Sequence, residues 1–204
     1  MKKGLLIITG IFLIALLFFF MLKFLIIPQL RGEELPVLGP PGHKISPFTL
    51  FTQDSVLLNS DSLKGKILIV DFFFTRCPSI CPTLSRNMKN IQDKLSGINN
   101  VVLLSFTVDP EHDTPSILKK YSEKYGATPG KWIFLTGEKK QVYDICINSF
   151  LVPVMEGQQP QDFIHTDRIV LVDGKGQIRQ YYNGLDTNVA DLILRDVLKL
   201  LKKS

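Results

Sequence analysis

The feature that most restricts this chain is an apolar run that stops on a pair of cysteines. Ile67, Leu68, Ile69, Val70, Phe72, Phe73 and Phe74 lead into Thr75-Arg76-Cys77-Pro78-Ser79-Ile80-Cys81-Pro82, and a helical pattern follows over residues 82–95. A stretch this apolar suits a strand buried on both faces, which requires a sheet covered on both sides. The cysteines then lie in the turn between that strand and its helix. Thiols so placed either exchange with disulfides or hold a soft metal ion.

The remaining pattern alternates strand and helix. Residues 48–51 and 56–58 read as a hairpin around Gln53-Asp54, 101–108 as a second buried strand, and 132–135 as a short one. Residues 168–172 read as a strand that Asp173-Gly174-Lys175-Gly176 turns into 177–182. Thr114-Pro115 opens a helix that Gly126 closes, 136–150 reads as another, and 188–202 as an amphipathic last helix. The order predicts an α/β sandwich with a central mixed sheet, thioredoxin-like in placing its reactive turn after the first buried strand.

The N-terminal part differs. Residues 4–22 carry no charge and lie between Lys2-Lys3 and Lys23. About twenty apolar residues span a bilayer as a helix. A secretory signal has a shorter core and a small-residue cleavage site, and neither that site nor a cysteine for lipid attachment follows. The run is therefore expected to be a retained transmembrane helix. Lys2 and Lys3 favour the cytoplasmic side, which sends the downstream domain across. Without an Arg- and Ser-rich presequence, a bacterial inner membrane is expected, the domain facing the periplasm or cell exterior. Three regions result: 1–27, the cytoplasmic lysines and anchor; 28–44, a tether rich in Pro and Gly; and 45–204, one domain with its own core. Of the net charge of +5, three units come from Lys2, Lys3 and Lys23. The remainder does not make a nucleic-acid surface.

Three cysteines do not make an even framework of structural disulfides. Cys146, spaced helically with Val142 and Ile145, reads as a core residue. If Cys81 opens a helical turn, residues i and i+4 share a face and both sulfurs point at one spot, favoured as thiolates by the helix N-terminus. Two sulfurs leave a metal site open, so a third ligand is needed. His43 lies in the tether, and His112, among Asp109, Pro110, Glu111 and Asp113, reads as a solvated surface residue. His165 precedes the strand at Arg168, where a thioredoxin-like fold brings the chain against the reactive turn. No proline stands there, so the usual disulfide-exchange cradle is altered and an imidazole is offered instead. Lys119-Lys120 and Lys139-Lys140 read as solvated helix faces, and Phe72-Phe73-Phe74 as sheet core.

Cys77-Pro78-Ser79-Ile80-Cys81-Pro82, the stretch Val108-Asp109-Pro110-Glu111-His112-Asp113-Thr114-Pro115 and the distal His165 resemble the Sco/SenC family in order and spacing. The resemblance covers the whole exported domain and the anchor. It implies a thioredoxin-like copper metallochaperone, with thiol–disulfide reductase activity left open, and with Cys77, Cys81 and His165 as ligands of copper, chiefly Cu(I), with Cu(II) also open. It implies delivery to the binuclear copper site of cytochrome c oxidase subunit II. A periplasmic dithiol reductant is an expected partner, and another copper carrier a further candidate. The resemblance leaves open the role of Asp109 and Asp113. Read from the residues alone, Asp113 caps the helix near Pro115 and Asp109 orders the loop.

The competing reading is a thiol–disulfide oxidoreductase of that subunit's cysteines, with Cys77 attacking and Cys81 resolving. The three residues between the cysteines and the missing proline before Arg168 argue against it. A reductase has no need of His165, whereas a Cu(I) site does. A peroxidase is disfavoured, since Phe73 to Arg76 lack the Pro-x-x-x-Thr/Ser-x-x-Cys setting.

Overall fold

In the computed structural model, residues 2–23, 34–153 and 166–202 are described. The chain divides into two units, Met1–Glu34 and Leu35–Ser204. The first contains α1 (Lys2–Met21). The side chains from Phe12 to Met21 are all exposed. Among the residues described with their side chains, no helix is long and apolar enough to cross a membrane, and the anchor assigned to this segment is taken up below as a proposal.

The second unit is built on one seven-stranded sheet. Its strands are β1 (Thr49–Thr52), β2 (Leu57–Asn59), β3 (Ile67–Phe73), β4 (Val101–Thr107), β5 (Trp132–Thr136), β6 (Arg168–Val172) and β7 (Ile178–Asn183), in the order β2-β1-β5-β4-β3-β6-β7. β3, β4 and β5 run parallel, while β1 pairs antiparallel with β5 and β6 antiparallel with β3. The mixed sheet expected from the sequence is thus present. Every residue of β3 and β4 is buried, as the apolar run requires.

Among the described residues of the unit the α-helices are α2 (Cys81–Lys94), α3 (Pro115–Lys124), α4 (Lys139–Asp144) and α5 (Val189–Leu201). Asp71, Ser105, Phe134, Ile169 and Tyr182 are register partners across five strands and so share one face. Tyr121 of α3 packs on Phe73 and Phe134 of that face, and Tyr182 Oη donates to Asp196 of α5 at 2.9 Å. α2 buries Leu84, Met88 and Ile91, one stripe at helical spacing. The opposite face carries Phe72 and Phe106, whose rings meet Phe150 beyond α4.

Two expectations change. The helix over 136–150 begins only at Lys139, because Thr136 is held in the sheet against Phe51. It then widens into a π-helix at Ile145–Ser149, a form that opens the turn by one residue. The second change concerns the tether. Residues 35–47 lie on the domain instead of hanging free of it. Leu38 N donates to Ile178 O at 2.8 Å and Ile45 N to Gly176 O at 2.9 Å. Arg179 binds Leu35 O, Pro36 O and Asp173. Leu35, Leu38 and Ile45 pack on the core. Proline and glycine set the conformation of this stretch, but its interspersed leucine and isoleucine give it surface to bury.

Asp71 is the exception in β3. It is 1% exposed and accepts a hydrogen bond from Ser105 Oγ, which in turn accepts from Trp132 Nε1 at 2.8 Å. Burial pushes its carboxyl pKa from 3.8 up to about 7, against the lowering effect of the Ser105 bond.

Two predictions follow from this core. Between roughly pH 4 and 7 folded Asp71 keeps a proton that the unfolded chain has lost, so stability is full below pH 4 and falls as pH rises to 7. Asp71→Asn, a neutral stand-in, escapes this loss, and its advantage over the native chain should grow by on the order of 3 kcal/mol between pH 4 and 8. Urea unfolding at both pH values measures it, and a constant gap would place the proton elsewhere. A chain starting at residue 45 should be less stable than one starting at 34 by about 2–4 kcal/mol, from lost apolar burial and backbone bonds. Equal thermal melts would show that residues 35–44 add nothing.

Candidate metal centre

β3 delivers the chain to Phe73, and residues 74–80 turn it into α2. Cys77 N donates to Phe74 O at 3.3 Å. α2 opens at Cys81 behind Ile80, with no side chain capping it and Pro82 in its first turn. The first amides of a helix have no partner within it, and proline brings none. The Cys81 N–H is directed at Cys77 Sγ, 3.4 Å away. Cys77 therefore stands before the helix, not on its face, which corrects the i, i+4 expectation. The sulfurs meet because the helix terminus holds Cys77 in the place where it would hold an anion.

Neither cysteine is in a disulfide, and Cys77 is 6% and Cys81 2% exposed. Their environments are unequal. Burial by itself raises the pKa of Cys77, but hydrogen bonds from the Cys81 thiol, the Cys81 and Ser79 amides and the Ser79 hydroxyl outweigh it and bring Cys77 below an ordinary thiol. Cys81 is pushed well up, first by burial and then because it donates its proton to Cys77 and faces negative charge on Cys77 and Asp71. The pair is unequal: Cys77 is the thiol biased toward its anion and Cys81 the one biased toward keeping its proton.

Two carboxylates brace this turn. Asp113 is fully buried; its Oδ2 accepts from Thr75 N at 3.0 Å and Thr107 Oγ1 at 2.6 Å, and its Oδ1 from Thr75 Oγ1. His112 Nδ1 lies 2.9 Å from the same Oδ1. The cap of α3 is instead the backbone of Thr114 (φ −64°, ψ 163°), with no side-chain bond, so the capping role expected for Asp113 is replaced by this reach back to Thr75. Asp109 orders its loop as expected, its carbonyl accepting from His112 N and Asp113 N, and its carboxylate pairs with Arg76 at 2.7 Å. His112 is half-buried on Asp113 and not simply solvated. Asp109, His112 and Asp113 each offer one ligand atom within 4.8 Å of the others. Both carboxylates are already engaged by Thr75, Thr107 and Arg76.

His165 lies outside the described residues. The strand that follows it is described: Ile169 of β6 pairs with Asp71, so β6 starts at the cysteine end of the sheet. Next to it Gly184 N donates to Asp167 O, and a side chain at Gly184 would collide with Leu84 of α2 and with Asp167 O. The segment entering β6 is thereby seated against α2. His43 is placed away from the cysteines, with Nε2 2.9 Å from Ser149 O. Cys146 is core as expected, fully buried with Sγ donating to Val152 O at 3.4 Å. Of the lysine pairs, Lys119 bonds Asp54 at 2.7 Å and Lys139 lies over the Tyr143 ring.

The sequence reading passed over Asp71, Thr75, Arg76 and Thr107. Asp71 had a signal, a lone acid inside an apolar run. Thr75, Arg76 and Thr107 had none, since only the fold brings their partners near.

Comparison with known proteins gives the family and the fold. The SCO1/SenC family profile matches residues 38–202. The SCO1 protein homolog of Bacillus subtilis (strain 168) is 34% identical over 178 residues, covering 86% of this chain and 91% of that one. The structure of BsSco, a member of the Sco family of cytochrome c oxidase assembly proteins with a disulfide switch, superposes with a TM-score of 0.72 at 32% identity, covering 82% of this chain and 99% of BsSco. Arabidopsis thaliana ScoI with copper bound gives 0.64 at 25% identity over 76% of this chain and 98% of ScoI. With the match spanning its entire folded unit, the chain belongs to the SCO1/SenC family.

Proposed function

We propose that this chain is a membrane-anchored metallochaperone whose cargo is Cu(I), held by Cys77, Cys81 and His165 and delivered to the binuclear copper site of cytochrome c oxidase subunit II. One observation carries the reading: two buried cysteines not joined by a disulfide share the N-terminus of α2, Cys77 Sγ on the Cys81 amide, at the end of the sheet where β6 begins. Thiolates are soft donors matched to Cu(I). The copper-bound relative ScoI and the oxidase-assembly relative BsSco support the same cargo and destination. Loading releases the thiol protons, Cys81's in particular, so affinity falls as pH falls. An oxidised pair offers no thiolate, which calls for a dithiol reductant in the outer compartment. The apolar helix α1, exposed from Phe12 to Met21, is proposed to hold the domain at a bacterial inner membrane, on its outer side.

The unequal thiols favour a second reading, thiol–disulfide exchange. The Cys77 thiolate attacks a partner disulfide and forms a mixed disulfide. Cys81 then loses its proton, attacks the Cys77 sulfur and releases the partner as a dithiol, leaving the Cys77–Cys81 disulfide.

Titration of the reduced chain with Cu(I) against a chelator should show one copper per chain. Cys77→Ser and Cys81→Ser should abolish tight binding. His165→Ala should weaken it by at least about tenfold with an unchanged circular dichroism spectrum. Unchanged affinity in that variant would remove His165 from the site, and absence of tight binding alongside rapid exchange would favour the oxidoreductase. In cell fractionation the chain should sediment with membranes and resist carbonate, and deletion of residues 2–23 should release it. Release of the intact chain by carbonate would refute the anchor.

A further inference from the structure

Of the residues preceding Cys77, Thr75 is held as firmly as any in the unit. Its amide and its hydroxyl both bond to one carboxylate, that of Asp113, thirty-eight positions away in sequence. Asp113 has about four acceptor sites. Thr75 takes two of them, Thr107 Oγ1 of β4 takes a third, and His112 Nδ1 lies on the fourth. A fully buried carboxylate is costly to maintain and is tolerated when its hydrogen bonds are complete. Here the bonds span two elements: the end of β4 and the start of the cysteine turn. Nothing in the helix that follows Asp113 needs them, since Thr114 caps it through the backbone.

Past Thr75, the Cys77 amide makes a long bond to Phe74 O, and Cys77 Sγ rests on the Cys81 amide at 3.4 Å. The neighbouring Arg76 is held by Asp109, whose carbonyl in turn accepts from the Asp113 amide at 2.8 Å. The two residues leading to Cys77 are therefore gripped by the two carboxylates of a single loop.

We propose that Asp113 is the positioning residue of the cysteine pair: through Thr75 it sets where Cys77 Sγ lies relative to the Cys81 amide. It touches neither sulfur and is no ligand. The proposal rests on Cys77 and Cys81 being the working pair, but not on copper being the cargo. Loss of the grip lets the turn relax, so the two sulfurs spend less time at the separation that a shared metal ion or a disulfide needs.

The test uses the full chain in mild detergent, native and with Asp113→Asn, Thr75→Ala and Thr75→Ser. Two quantities are read: Cu(I) affinity by chelator competition, and the equilibrium constant for oxidation of the pair by glutathione disulfide. Asp113→Asn and Thr75→Ala should weaken Cu(I) binding about 10–100-fold, as loss of an outer partner of a metal ligand does. They should also shift the glutathione equilibrium by about 3–10-fold, the worth of one hydrogen bond. Thr75→Ser, which keeps the hydroxyl, should restore both. Native values in folded Asp113→Asn and Thr75→Ala would overturn the proposal. If Asp113→Asn does not fold, Thr75→Ala decides alone. A lower melting temperature with both constants native would make Asp113 a structural residue only. If the native chain binds no Cu(I), the copper reading fails, and the glutathione equilibrium still decides for or against the positioning role.

Discussion

β3 is paired on both sides, parallel to β4 and antiparallel to β6, and none of its seven residues reaches solvent. Burial on both faces requires cover on both sides of the sheet, from α2, α3 and α5 on one and from Phe150, beyond α4, on the other. It also fixes the height at which the strand ends. Because β4 ends beside it in register and β6 begins there, three chain segments meet at one end of the sheet. The cysteine turn, the loop containing Asp109 and Asp113, and the strand after His165 are neighbours for that reason.

At that end the chemistry is set by backbone and carboxylate together. The helix terminus supplies an amide to Cys77, and the fully formed core under Cys81 denies it water, so one thiol is biased toward its anion and the other away from it. Such asymmetry serves metal loading and disulfide exchange alike, which is why the same turn supports both readings. The buried acids are separate in kind. Asp113 and Asp109 are satisfied by donors from the turn, whereas Asp71 has a hydroxyl partner, and burial pushes its carboxyl pKa up to about 7.

Much of this was readable in advance. The alternation of apolar runs with Gly-, Pro- and Asn-bounded turns marks the strands to within a residue or two, and Thr114-Pro115 marks the start of α3. The late start of α4 was not readable, because Thr136 has no local reason to prefer strand; its pairing with Phe51 decides. Nor was the docking of residues 35–47, since a Pro- and Gly-rich segment looks like a tether until a sheet edge at Ile178 and Arg179 is available to receive it. Asp113 looked like a helix cap because only its sequence neighbours were visible.

The sequence by itself determined the sheet-and-helix order, the doubly buried strand and the identity of the two sulfurs, because periodicity, turn chemistry and residue type act locally. Only the tertiary structure decided how the sulfurs face each other, which thiol is biased toward its anion, and what Asp71, Asp109 and Asp113 are for. Those depend on desolvation and on hydrogen bonds between residues some thirty-five positions apart, and such distances close only when β3 and β4 lie side by side.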